Sequence, residues 1–146
     1  MAVRLATEAD VEAIAGLWFA FCLEMSGIGV PDKAAWIKRT ISFFRMDDCY
    51  HVVISEDNGG RLTGFIDSFR YYEPAFSKII CEGMHFYVIP AARDGETAYR
   101  LLDFIRTFNK NKGFELEGVT CGEQTKKMWE RKGYVVDKYV MHRVME

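Results

Sequence analysis

The sequence predicts one α/β or α+β domain, a β-sheet with helices on both faces. Three observations carry that expectation. The hydrophobic pattern changes period along the chain in the order β-α-α-β-β-β-α-β-α-β. The longest strand-like run, KIICEGMHFYVI, is apolar on both sides, as a strand covered on two faces must be. A length of 146 residues with 49% hydrophobic content is enough for a buried core and suits a single domain over 1–146.

The elements follow in order. AVRLA alternates as a short strand. Thr7 is a good helix N-cap, with Glu8 and Asp10 at the positive end of the helix dipole. Val11, Ile14, Ala15, Trp18, Phe21, Cys22 and Met25 then form one apolar stripe at helical spacing, ended by SGIGVP. Pro31 and Asp32 open a second helix that buries Trp36, Ile37, Ile41 and Phe44 and closes at MDDC. HVVISE is a β-branched strand, DNGG a hairpin turn and RLTGFIDSFRYY a strand alternating across two faces. EPAFSK is a loop before the long central strand. The third helix carries Ala98, Leu101, Leu102, Ile105 and Phe108, with Gly113 as its stop. FELEGVT is a further strand, EQTKKMWERKG a short helix and YVVDKYVMHRVM a last strand or hairpin.

Composition narrows the function. A net charge of −2 gives no pull towards nucleic acid or an anionic membrane. No apolar run reaches the length of a membrane span, and the N-terminal stretch has no signal-peptide core, so a soluble cytoplasmic protein is expected. Cysteines 22, 49, 81 and 121 are widely spaced, which reads as reduced thiols rather than a disulfide framework. The histidines at 51, 85 and 142 form no metal-ligand pair, so no metal is expected. Neither GxGxxG nor a P-loop lysine is present, which weakens a nucleotide-binding reading.

The informative stretch is HFYVIPAARDGETAYRLLDF, a strand that turns at Pro90 into a helix. A helix N-terminus with small residues lets a pyrophosphate reach several backbone N–H groups and the dipole. Pro90, Arg93, Ala98 and the Leu101–Leu102 pair lie in the register of a strand, Pro, Gln/Arg-x-x-Gly-x-Gly/Ala, then Leu-Leu. MWERKGY is similar to Leu-Tyr-Glu-Lys-x-Gly-Phe, with Gly133 and Tyr134 matching. With the element order, these segments resemble the GNAT superfamily of acetyl-CoA-dependent N-acetyltransferases over nearly the whole chain.

The resemblance implies a mixed, mostly antiparallel central sheet and transfer of an acetyl group from acetyl-CoA to a primary amine of a small molecule or protein. It implies that Val88, Ile89, Arg93, Asp94, Gly95, Glu96, Thr97 and Ala98 hold the cofactor, the last six around its diphosphate. It also implies that Glu82, eleven residues before Arg93, takes the amine's proton, at the offset where histone-acetylating members carry a glutamate base. Asp67 is a second acidic candidate, and His85 falls on the opposite face from Glu82 by strict alternation and reads as a core residue. Glu24 and the aromatic Tyr71 and Tyr72 suit a cationic acceptor. Lys126 and Lys127 are either contacts to an outer phosphate or a solvated face. A homodimer is an open alternative to a monomer.

Three positions depart from the pattern. Trp129 stands where many members have the tyrosine that protonates the leaving thiolate, which leaves Tyr134 and Tyr139 as substitutes, and Gly122 stands in place of a frequent Asn. Glu96 replaces the first motif glycine. Two like charges about 4 Å apart repel by about 4 kcal/mol at an effective dielectric near 20. Arg100, four residues on, is spaced to draw Glu96 along the outer face of the helix. These departures keep a second reading in view, a catalytically degenerate domain that senses CoA or binds a protein partner.

Overall fold

The computed structural model describes residues 1–24, 31–46, 48–74, 77–113, 116–119, 127, 130, 131 and 133. The strands are β1 (Ala2–Leu5), β2 (Tyr50–Glu56), β3 (Leu62–Glu73), β4 (Lys78–Val88) and β5 (Leu116–Val119). The helices are α1 (Val11–Glu24), α2 (Lys33–Phe44) and α3 (Glu96–Asn111). The five strands lie in sequence order, antiparallel from β1 to β4, with β5 parallel to β4. This is the expected mixed, mostly antiparallel sheet with helices on both faces. The helix and strand or hairpin expected after β5, the latter at YVVDKYVMHRVM, fall largely outside the described residues.

Two apolar layers follow from strand alternation. On one face, Val11, Ile14, Ala15 and Leu17 of α1 and Trp36 of α2 bury against Val52, Ile54, Phe65 and Tyr87. On the other, Leu101, Leu102 and Ile105 of α3 cover Val53, Ile66 and Val88. The buried positions of α3 recur as Thr97, Leu101, Ile105 and Asn109, one stripe at a spacing of four. α3 comes close because β3 has a glycine beneath it. A Cβ on Gly64 would lie 2.8 Å from the Tyr87 carbonyl oxygen and 3.1 Å from Leu101 Cδ1.

Thr7 is the N-cap, as expected, of a turn that leads into α1. Glu8–Asp10 form a 3-10 turn, and the α-helix starts at Val11. Asp10 explains the turn: its Oδ2 accepts from the backbone N–H of Thr7 at 2.8 Å and from the Thr7 hydroxyl at 3.0 Å. The same carboxylate takes two bonds from Arg4 of β1, which also reaches Glu56 of β2 at 2.6 Å. α2 begins as expected, with Asp32 accepting from the N–H of Ala35 at 2.9 Å.

One irregularity in β4 decides what the sheet presents. Lys78 through Gly83 pair with Glu73 back to Ser68, and Phe86 through Val88 pair with Ile66 back to Gly64. Two residues of β4, 84 and 85, therefore oppose the single residue Asp67, a β-bulge. Glu82 shares a face with its partner Phe69, which packs in the α1/α2 layer. Beyond the bulge the parity is reversed, and His85 and Tyr87 meet Phe21 of α1. Glu82 and His85 thus lie on the same face, correcting the opposite faces that strict alternation gives.

Candidate active site

The α1/α2 face of β3 and β4 gathers the titratable groups. Asp67 is wholly buried, with three donors on its two oxygens. Its Oδ1 accepts from the backbone N–H of His85 at 2.6 Å. Its Oδ2 is 2.8 Å from His85 Nδ1 and accepts from the Tyr50 hydroxyl at 2.8 Å. Burial, and then the neighbouring Asp67 carboxylate, push the Tyr50 phenol well up, so it stays a donor. Asp67, the second acidic candidate the sequence offers, is therefore engaged in internal hydrogen bonds on both oxygens. Glu82 is half-buried one strand-repeat along, accepting from the Tyr71 hydroxyl at 3.3 Å. Tyr72 pairs with Ile79 on the opposite face and is 59% exposed, so Tyr71 and Tyr72 do not line one site.

β4 continues into the turn that the sequence singles out. Among the described residues its parallel ladder with β5 spans Ile80–Gly83, while β4 itself runs to Val88. Val88 is buried under α3, and its carbonyl accepts from Arg93 Nε at 2.8 Å. Ile89 is half-buried, and its N–H donates to the Thr63 carbonyl at 2.9 Å. Pro90–Ala92 make one 3-10 turn, and Gly95, at φ 88°, sits in the left-handed region as the residue before α3. The space in front of Gly95 is open, since a Cβ placed there meets nothing within 4 Å.

Two carboxylates flank the start of α3, Asp94 just before it and Glu96 in its first turn, with different directions. Glu96 lies along the outer face, paired with Arg100 at 2.5 Å, as the spacing of four predicts. Asp94 turns inward. Its Oδ1 accepts from the N–H of Glu96 at 3.0 Å and of Thr97 at 3.3 Å, capping the amides that a bound anion would use. Thr97 is buried, its hydroxyl 3.1 Å from the Met1 sulfur, and Ala98 packs on the α3 layer. The turn has an open backbone, and the carboxylate that covers its helix-terminal amides is Asp94 rather than Glu96.

Arg93 and Glu24, expected at the cofactor and the acceptor respectively, hold each other. The Arg93 guanidinium bonds Glu24 at 2.6 Å and lies 5.4 Å from the centre of the Tyr87 ring. The Tyr87 hydroxyl donates to Glu24 at 2.7 Å. Arg93, and then Tyr87, hold the Glu24 carboxyl below its usual range, while burial raises the Tyr87 phenol. This cluster ties the end of α1 to the end of β4. Tyr134, with Tyr139, Trp129, Gly122 and Lys126, lies outside the described residues. Among the described residues no group of three His, Cys, Asp or Glu side chains converges as a metal site, and no helix is long and apolar enough to cross a membrane.

What strand-counting missed is the face of His85 and its pairing with Asp67. The available signal was Asp67 itself, one acid inside a buried strand, because a buried carboxylate must find donors. The 69-residue separation of Glu24 and Arg93 carries no such local signal.

No protein-family model matches the sequence, and no curated protein matches it. Solved structures do. A probable acetyltransferase is similar over 100% of this chain and 97% of its own, with a TM-score of 0.82 at 18% identity. A ribosomal-protein-alanine N-acetyltransferase from Brucella melitensis biovar Abortus 2308 matches over 98% and 100%, with a TM-score of 0.74 at 18% identity. An aminoglycoside acetyltransferase from an uncultured soil metagenomic sample, in complex with trehalose, matches over 99% and 95%, with a TM-score of 0.76 at 15% identity. Identities this low speak for architecture, and with the sheet order and the strand–turn–helix of β4 and α3 they establish that the chain has the GNAT-type acetyltransferase fold.

Proposed function

We propose that the chain is an N-acetyltransferase that moves an acetyl group from acetyl-CoA to a primary amine on a small molecule or a protein, in the cytoplasm and without a metal. The observation that carries this reading is Glu82. It is an acidic group with Tyr71 as its partner, on the face of β4 that looks towards α1 and α2. The strand that holds it leads directly into an open turn and a 16-residue helix whose N-terminus favours anions. An amine attacks a thioester only when neutral. Glu82 draws in the ammonium form and takes its first proton, and the turn at 93–98 holds the diphosphate once Asp94 swings away.

The first test is thermal unfolding with acetyl-CoA, with ATP as a control polyphosphate. Ligand at a hundred times its Kd stabilises by about 2.7 kcal/mol. For a chain of this size that is a rise in Tm of about 8 °C. A shift with acetyl-CoA and not with ATP, followed by turnover in a screen of amines, supports the reading. In that assay Glu82→Gln is expected to lower kcat at least tenfold, and an unchanged kcat removes the proton-accepting role from Glu82.

Asp94 favours the second reading, a domain that has kept the fold and lost catalysis. Its carboxylate satisfies two helix amides from within the chain. No shift with acetyl-CoA for either the wild type or Asp94→Asn, together with a specific protein captured by the wild type, favours that reading.

A further inference from the structure

We propose that His85 is a second proton acceptor in the acetyl transfer, with Asp67 as its positioning residue. The inference rests on the function proposed above. A carboxylate only accepts hydrogen bonds, so the ring nitrogen 2.8 Å from Asp67 Oδ2, Nδ1, carries the hydrogen. In the neutral ring the other nitrogen, Nε2, then bears the lone pair. Among the described residues Nε2 has no hydrogen-bond partner. The His85 side chain is 21% exposed, against 1% for Asp67, so the dyad has a buried end and a reachable end. The Phe21 ring meets the imidazole edge-on, 5.8 Å away at 79°, and helps fix its plane.

A purely structural role does not account for this arrangement. Asp67 already has one donor for each oxygen without the imidazole, the His85 backbone N–H and the Tyr50 hydroxyl. The extra bond orients the ring, and the bulge delivers it to the face that holds Glu82. Among the described residues, the titratable groups beside His85 on that face include Glu82 and Tyr87 of β4, Tyr71 and Asp67 of β3, Tyr50 of β2 and Glu24 of α1, the last held by Arg93.

An ammonium that becomes an amide loses two protons, and the face holds two acceptors. Glu82 takes the first and leaves a neutral amine. The nitrogen lone pair then forms the C–N bond to the thioester carbonyl carbon. As the C–S bond breaks, its electron pair stays on sulfur and the surplus proton on nitrogen passes to Nε2 of His85. Sulfur takes a proton from solvent, and the imidazolium and Glu82 return theirs to solvent.

The test combines turnover with a measurement that does not need it. In the full chain, 15N NMR at a pH where the ring is neutral is expected to show hydrogen on Nδ1 of His85, and Asp67→Asn is expected to lose that tautomer. With an amine found by screening, His85→Gln is expected to lower kcat by about 10²–10³-fold and leave the KM for acetyl-CoA unchanged. Added imidazole should restore part of the activity of His85→Ala. An imidazole with hydrogen on Nε2 overturns the proposal, and so does His85→Gln at wild-type kcat in a chain that turns over. A chain that shows the Nδ1 tautomer and binds acetyl-CoA yet acetylates no amine overturns the enzyme reading, and the role of His85 falls with it.

Discussion

In the proposed enzyme, Asp94 is the side chain on which cofactor affinity is expected to turn. Its carboxylate stands where an anion would, so a bound diphosphate meets one negative charge and must displace two hydrogen bonds. Asp94→Asn keeps an acceptor for the cap and removes the charge. It is expected to tighten acetyl-CoA by about tenfold, about 1.4 kcal/mol, in a calorimetric titration. Asp94→Ala loses the cap as well and should lower stability by about 1 kcal/mol. Glu96→Gln is expected to change affinity less than threefold, because Arg100 already holds that carboxylate on the outer face. The sequence offered an outer direction for Glu96 through its spacing of four to Arg100 but left the direction undecided, and the structure supplies it. The Asp94 direction was not legible there. It depends on Gly95 at φ 88°, which turns the chain so that Asp94 faces the amides of Glu96 and Thr97.

Packing between β3 and α3 depends on one absent side chain. Gly64→Ala puts a Cβ 2.8 Å from a backbone oxygen of β4, which cannot rotate away as a side chain would. The variant is expected to lose about 1–3 kcal/mol in a urea unfolding curve with an unchanged m-value. Most elements were readable because their period extends over several turns or pleats. The stripes of α1 and α3 and the runs of β2 to β4 fall where the apolar residues recur. The bulge was not readable, because counting back from the Glu73↔Lys78 pair gives an unbroken ladder and nothing in the composition of β4 marks the extra residue. That one step separated the candidate site as read from the site as built. It left His85 on the wrong face, while Glu82 and Tyr71 came out together.

The whole molecule is joined at its edges by ion pairs, and the best connected of these should govern its acid stability. Asp10 links β1 to the start of α1 through Arg4, and Arg4 holds the Asp10 carboxyl far below the usual carboxylate range. A carboxyl whose folded pKa is lowered adds stability above its unfolded pKa of about 3.9 and loses it as pH falls towards the folded value. About 1–2 kcal/mol is expected to disappear below pH 4, allowing for the partial exposure of Arg4, and Asp10→Asn should flatten that part of the pH–stability curve. The β4 bulge has a consequence at the same scale for mutational data. The residues of β4 that face α1 and α2 are even-numbered up to Glu82 and odd-numbered from His85. A saturation scan of positions 78–88 should therefore show its tolerance for polar residues jump by half a period between 83 and 85. Aligning relatives on this strand without that phase jump would pair the candidate catalytic groups with core residues.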